Sequence, residues 1–116
     1  MSVKIFHNPR CSKSRAALQI IRDKGIEPEI IEYLKTPPVF AELSNLIDQL
    51  ELESPLNLMR KGESAFKDLN LSASADNKDS LISAMTEHPI LIERPIVVSK
   101  KGARIGRPPE IINEIL

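Results

Sequence analysis

The chain has 116 residues, 41% of them apolar and only 3% aromatic, so it is long enough for one domain, residues 1–116, around a single aliphatic core. Sixteen basic and sixteen acidic residues leave a formal net charge of zero, and no aromatics are interleaved with the arginines, which argues against a general nucleic-acid or membrane-surface binder. No apolar run approaches the ~20 residues of a membrane span, no signal-peptide pattern opens the chain, and a single cysteine permits no internal disulfide; together these predict a soluble cytoplasmic protein.

Val3-Lys4-Ile5-Phe6 carries the β-branched and aromatic residues of a strand, and Asn8-Pro9 breaks it as a turn does. A helix follows from Cys11, with Ala17, Leu18, Ile20 and Ile21 at helical spacing, Arg22 and Lys24 in the last turn and Gly25 as a left-handed stop. Glu29 to Leu34 reads as a second strand, parallel to the first through a right-handed crossover. Thr36-Pro37-Pro38 offers an N-cap and first-turn prolines to a helix carrying Leu43, Leu46, Ile47 and Leu50. Ser54-Pro55 repeats the device for a short helix ending near Arg60. Further helical pieces follow at Ala65–Leu69 and around Leu81, Ile82 and Met85, the last stopping at His88-Pro89. Pro95 to Val98, a turn at Ser99–Gly102, and Ala103 to Gly106 read as an antiparallel hairpin. Arg107-Pro108-Pro109 then opens a last helix with Ile111, Ile112, Ile115 and Leu116 on one face. The expected architecture is α/β: βαβ then ββα in one mixed four-stranded sheet, a thioredoxin-like fold with a central helical insertion.

The chemistry concentrates in His7-Asn8-Pro9-Arg10-Cys11-Ser12-Lys13-Ser14-Arg15. A thiol at a helix N-terminus meets unpaired N–H groups and the positive end of the macrodipole, both of which favour the thiolate, and the thiolate is the nucleophile. Arg10, Lys13 and Arg15 add positive charge nearby, and the Ser12 and Ser14 hydroxyls could donate to a thiolate or an oxyanion. Against this stands the plain reading of a lone cysteine as a small buried hydrophobe. His7 could raise the local potential or simply end the strand. Arg60, Arg94 and Arg107 offer forks suited to tetrahedral oxyanions, although any one of them could equally be a solvated surface charge. A Cys-x5-Arg phosphatase loop is excluded by Ala17, a Cys-x-x-Cys dithiol by Ser14, and one cysteine with two histidines makes no zinc set.

The sequence His-Asn-Pro-x-Cys-x-x-Ser-Arg at His7 to Arg15, the helix-end Arg60, Arg94-Pro95-Ile96-Val97-Val98 and Arg107-Pro108 together resemble the glutaredoxin-coupled arsenate reductase family, often called ArsC, over nearly the whole chain. The resemblance implies a nucleophilic Cys11 assisted by His7 and Ser14, an arsenate pocket of Arg60, Arg94 and Arg107 with Arg15 beside the nucleophile, and a cis Arg94–Pro95 bond. It implies glutathione as co-substrate, glutaredoxin as partner, and no bound metal or organic cofactor. A relative in the same superfamily, the Spx-type regulator that binds RNA polymerase, usually carries the second cysteine that Ser14 replaces here. A thiol-transfer protein acting on glutathione mixed disulfides would need Cys11 but not the arginines.

Overall fold

Four short strands form one mixed sheet in the structure, a computed structural model that describes residues 2–116. They are β1 (Lys4–Phe6), β2 (Glu29–Ile31), β3 (Ile96–Ser99) and β4 (Gly102–Ile105), in the order β2-β1-β3-β4. β1 runs parallel to β2 and antiparallel to β3, with Ile5 opposite Ile30 on one side and Val97 on the other. Lys100 and Lys101 alone turn β3 into β4, and Gly102 takes a φ of +140° as the chain re-enters the sheet. The mixed sheet and thioredoxin-like arrangement expected from the sequence are present.

Helix α1 (Ser12–Asp23) supplies the crossover between β1 and β2. It ends as the sequence suggests: Gly25 sits at φ +77°, where its N–H bonds the Arg22 carbonyl at 2.9 Å and the Ile26 N–H bonds that of Ile21 at 3.3 Å. Ala17 and Ile21, one turn apart, lie on the face of α1 that joins Val3 and Ile5 of the β1 segment, Val97 of β3, and Ile112 and Ile115 in a single cluster. Each fully buried Ile in that cluster contributes about 1.5–3 kcal/mol of transfer free energy. β1 is thereby pinned by both neighbouring strands and by α1, and the turn that follows it has a fixed base.

The last segment corrects the sequence reading. Pro109–Ile115 is a 3₁₀ helix and not an α-helix. The Ile111 N–H bonds the Pro108 carbonyl at 3.1 Å, the three-residue step of the tighter helix. A three-residue period also stacks Ile112 directly under Ile115, so the tighter helix aims both at the core. Its end is fastened by Ser99 Oγ, which donates to the Ile115 carbonyl at 2.6 Å, and by Lys101 Nζ, which donates to that of Leu116 at 3.2 Å.

Two further boundaries differ. β2 stops at Ile31 and not at Leu34, because the Lys35 and Thr36 N–H groups turn back to the Glu32 carbonyl at 2.9 and 3.0 Å. Thr36 caps nothing: α2 (Phe40–Gln49) begins after both prolines, with an extended Val39 as its N-cap and no side-chain cap bond. A residue before proline is held extended, so Thr36-Pro37-Pro38 leads into the helix without belonging to it.

Residues up to Thr36 together with Arg94–Leu116 form one compact unit, and Pro37–Glu93 forms a second. In the second, α2 packs with Leu43, Leu46 and Ile47 buried against α4 (Lys78–Glu87), which buries Leu81, Ile82 and Met85. Between them lie α3 (Ser64–Asp68) and two 3₁₀ turns, Pro55–Leu58 and Leu71–Ser74. Ser54 Oγ accepts the Leu56 N–H at 3.2 Å, so that cap acts where the sequence puts it, and Asn77 Oδ1 accepts the Ser80 N–H at 3.1 Å at the head of α4. An antiparallel bridge of Met59 with Ile92 closes this unit, flanked by Arg60 N–H to Leu91 O and Glu93 N–H to Leu58 O, both 2.7 Å. Among the described residues no helix is long and apolar enough to cross a membrane.

Candidate active site

Cys11 is the N-cap of α1 and only 9% exposed. Its backbone is extended, its N–H bonds the Asn8 carbonyl and its own carbonyl accepts the Arg15 N–H, both at 3.0 Å. Burial pushes the thiol pKa up, yet the net shift is downward: the backbone N–H groups of Ser14 and Lys13 and the charges of Arg94 and Arg107 together outweigh desolvation. The surroundings of the sulfur thus favour the thiolate in a mostly covered position.

The cations responsible include Arg94, whose strand was expected to bring it to Cys11, and none of the charged neighbours Arg10, Lys13 and Arg15. The charges of Arg94 and Arg107 depress the thiol, from positions immediately before Pro95 and Pro108, while Lys13 contributes its amide. Arg15 Nη1 donates to the Pro9 carbonyl at 3.0 Å and bends back over its own loop, where its charge acts on His7. A three-stranded stretch of sheet explains the reach of the distant arginines: β3 lies beside β1, so the residue preceding β3 arrives near the residue following β1.

Arg94 and Arg107 are held to one another through the backbone. Both precede a cis proline, Arg94–Pro95 as the resemblance implied and Arg107–Pro108 in addition. Arg107 Nη1 donates to the Arg94 carbonyl at 3.1 Å, and the Gly106 N–H donates to the Pro95 carbonyl at 2.8 Å. At Gly106 the two segments pass so closely that a Cβ would stand 2.8 Å from Pro95 Cγ, so a side chain there requires the proline ring to yield. The chain 94–95 and the chain 105–107 therefore move as one piece.

Ser14 divides its duties. Its amide serves the thiol, whereas its hydroxyl lies 2.6 Å from His7 Nδ1 and accepts the Asn8 N–H at 3.0 Å. The hydroxyl is thus spent on His7 and Asn8, which corrects the expectation that it would donate to the thiolate directly. His7 is buried, and burial foremost lowers its pKa; Glu32 opposes the shift, while Arg22 and Arg15 add to it. A neutral imidazole can take the Ser14 O–H at Nδ1 while the Ser14 oxygen takes the Asn8 amide, so one hydroxyl serves both neighbours. Asn8 forms the turn expected of Asn8-Pro9 and ties the loop with its side chain. Its Oδ1 accepts the Arg10 N–H at 3.0 Å, the Asx turn that an Asn-Pro pair signals.

Arg60 lies in the helical unit, where its guanidinium meets Glu63 at 2.8 Å one turn on. Among the described residues no group of three or more His, Cys, Asp or Glu is placed to hold a metal ion.

A thioredoxin-like sheet with one thiol at the head of its first helix, under two arginines from the far side of the hairpin, defines the class. More narrowly, the chain belongs to the ArsC family, whose pattern matches residues 6–115. It is 50% identical over 114 residues to the uncharacterised Escherichia coli (strain K12) protein YfgD, covering 98% of this chain and 96% of that one. It is 45% identical to an arsenate reductase of Neisseria meningitidis serogroup A, with 98% and 97% coverage. The structure of an arsenate reductase from Vibrio cholerae superposes with a TM-score of 0.96 at 52% identity, over all of this chain and 98% of that one.

Proposed function

We propose that this protein is an arsenate reductase that uses Cys11 as its single nucleophile and draws its electrons from glutathione and glutaredoxin. The observation that carries the reading is the downward shift of the Cys11 thiol under the charges of Arg94 and Arg107, since the groups that favour a thiolate also suit an incoming oxyanion. Family membership and the names of the relatives point to arsenate as that oxyanion.

The thiolate attacks arsenic and a hydroxyl leaves as water after taking a proton, giving a covalent S–As(V) adduct while the arginines hold the remaining oxygens. A glutathione thiolate then attacks the Cys11 sulfur. The S–As bonding pair passes to arsenic, which departs as arsenite, and Cys11 is left in a mixed disulfide with glutathione. Glutaredoxin takes the glutathione by thiol exchange and returns the Cys11 thiolate; a second glutathione regenerates glutaredoxin. The chain has no second cysteine with which to close its own disulfide, so the resolving thiol comes from outside.

Turnover of arsenate in the presence of glutathione and glutaredoxin tests the proposal, together with mass spectrometry of a reaction from which glutaredoxin is omitted. Expected are arsenite release, no activity in Cys11→Ser, and a stalled protein heavier by one glutathione. Sustained turnover by Cys11→Ser, or turnover on thioredoxin alone with no glutathione adduct, overturns it. Capture of RNA polymerase without any turnover would favour the regulator instead.

A further inference from the structure

Resting on that reading, one feature around Cys11 has no part in the chemistry so far. The chain has seven arginines. Arg22 pairs with Glu27, Arg60 with Glu63 and Arg104 with Glu114; Arg15 holds Pro9, Arg107 holds Arg94, and Arg94 acts on the thiol. Arg10, directly before the nucleophile, is the exception: among the described residues its guanidinium makes no ion pair or hydrogen bond, and the side chain is exposed. Lys13, in the first turn of α1, is exposed and equally unengaged through its ammonium. Neither side chain is among the charges that shift the thiol. The Asx turn at Asn8 fixes the backbone of Arg10, so the charge is carried on a set base while its head stays in water.

Two exposed, unengaged cations, one residue before and two residues after a Cys11 that is 9% exposed, bear on what approaches it. With Cys11 mostly covered, a small thiol reaches it more readily than a bulky one. We infer that Arg10 and Lys13 form a docking rim for the carboxylates of a small anionic thiol that resolves the Cys11 adduct. Glutathione carries two carboxylates and one ammonium, which fits a rim of two separated positive charges better than a neutral or cationic thiol does. The rim selects the co-substrate, whereas Arg94 and Arg107 set the state of the nucleophile.

The experiment needs no arsenate. Cys11 is converted to its mixed disulfide with thiopyridine, and glutathione is added; its thiolate bonds to the Cys11 sulfur as the old S–S bond breaks and coloured thiopyridone leaves with the electron pair. The rate constant, corrected for thiolate concentration, is measured for glutathione, for its dimethyl ester and for mercaptoethanol, in the wild type and in Arg10→Gln/Lys13→Gln. Exposed pairs of this kind change rates by a few-fold each, so the double variant should react with glutathione about threefold to tenfold more slowly at low salt. The ester and mercaptoethanol rates should hardly move, and added salt should shrink the wild-type preference. The alkylation midpoint of unmodified Cys11 should stay where it is. An equal loss for all three thiols, no loss for any, or a shifted alkylation midpoint each overturns the inference. Failure of arsenate turnover with the charge preference intact would instead count against the substrate and leave the rim standing.

Discussion

His7–Arg15 and Arg94–Arg107 serve the same thiol by different means. The first is a loop tied by side chains close in sequence: Ser14 to His7 and Asn8, Asn8 to Arg10, Arg15 to Pro9. The second is tied across a hairpin, by the Gly106 amide on the Pro95 carbonyl and the Arg107 guanidinium on the Arg94 carbonyl. The loop rich in charge lends the sulfur its amides, and the segment remote in sequence lends the charge. Proximity along the chain is a poor guide to electrostatic proximity, because a long side chain at an exposed position spends its charge on water or on its own backbone.

Replacing both Arg94 and Arg107 with Gln strikes the remote half and should have the largest effect. The Cys11 alkylation midpoint should climb toward the ~8.5 of an ordinary thiol. In arsenate turnover, the loss of charge-assisted contacts worth about 2–4 kcal/mol should lower kcat/KM by roughly a hundredfold or more. Lys at either site keeps the charge but not the fork and should cost about tenfold. An unmoved midpoint in the double Gln variant would dissolve the division between the two halves.

Ser14→Ala attacks the local half. It removes the hydroxyl while keeping the amide, so the alkylation midpoint should move less than in the arginine variants. Folding should suffer more: His7 and the Asn8 amide lose a buried partner, at about 1–3 kcal/mol by denaturant titration. A thiol shift as large as that of the arginine pair would make the hydroxyl a direct partner of the sulfur.

A pH series sharpens the same point. The pKa of His7 is lowered in the fold, so the unfolded chain binds its proton first as pH falls, and stability declines below the unfolded value of ~6.5 while being unaffected above it. Unfolding midpoints between about pH 7.5 and about 5.5 should show a loss of stability that His7→Gln flattens. A wild-type profile that rises on acidification would reverse the sign assigned to His7.

The smallest change is expected at Arg60→Gln, which breaks a partly exposed pair with Glu63 and should cost about 0.2–1 kcal/mol of stability. A fall in kcat/KM comparable with that of Arg94 would give Arg60 the share in arsenate binding that the family resemblance implies.

Much of this was legible in advance, and the exceptions have physical causes. Ile5, Ile30 and Val97 announced three strands, and Gly25 the end of α1, because β-branched runs and a left-handed glycine are local signals. The α-helix expected after Pro109 became a 3₁₀ helix, since the spacing of Ile112 and Ile115 suits either period until the core chooses. Cys11 at a helix start could be read from Asn8-Pro9; that Arg15 folds back on Pro9 could not, because no pattern records which way an exposed arginine turns. The reach of Arg94 followed from topology, not from sequence neighbours.

Position 14 has two inheritances. Its hydroxyl, held by His7 and Asn8, is encoded in the side chain and is open to loss by a single nucleotide change. The amide that lowers the Cys11 thiol belongs to every residue except proline. Drift at this codon can therefore loosen the packing beneath the nucleophile without silencing it, and a mutational survey that scores side chains will undercount what Lys13 and Ser14 give. Part of the reactivity at Cys11 is written in the geometry of a helix start, where selection on residue identity has almost nothing to grip.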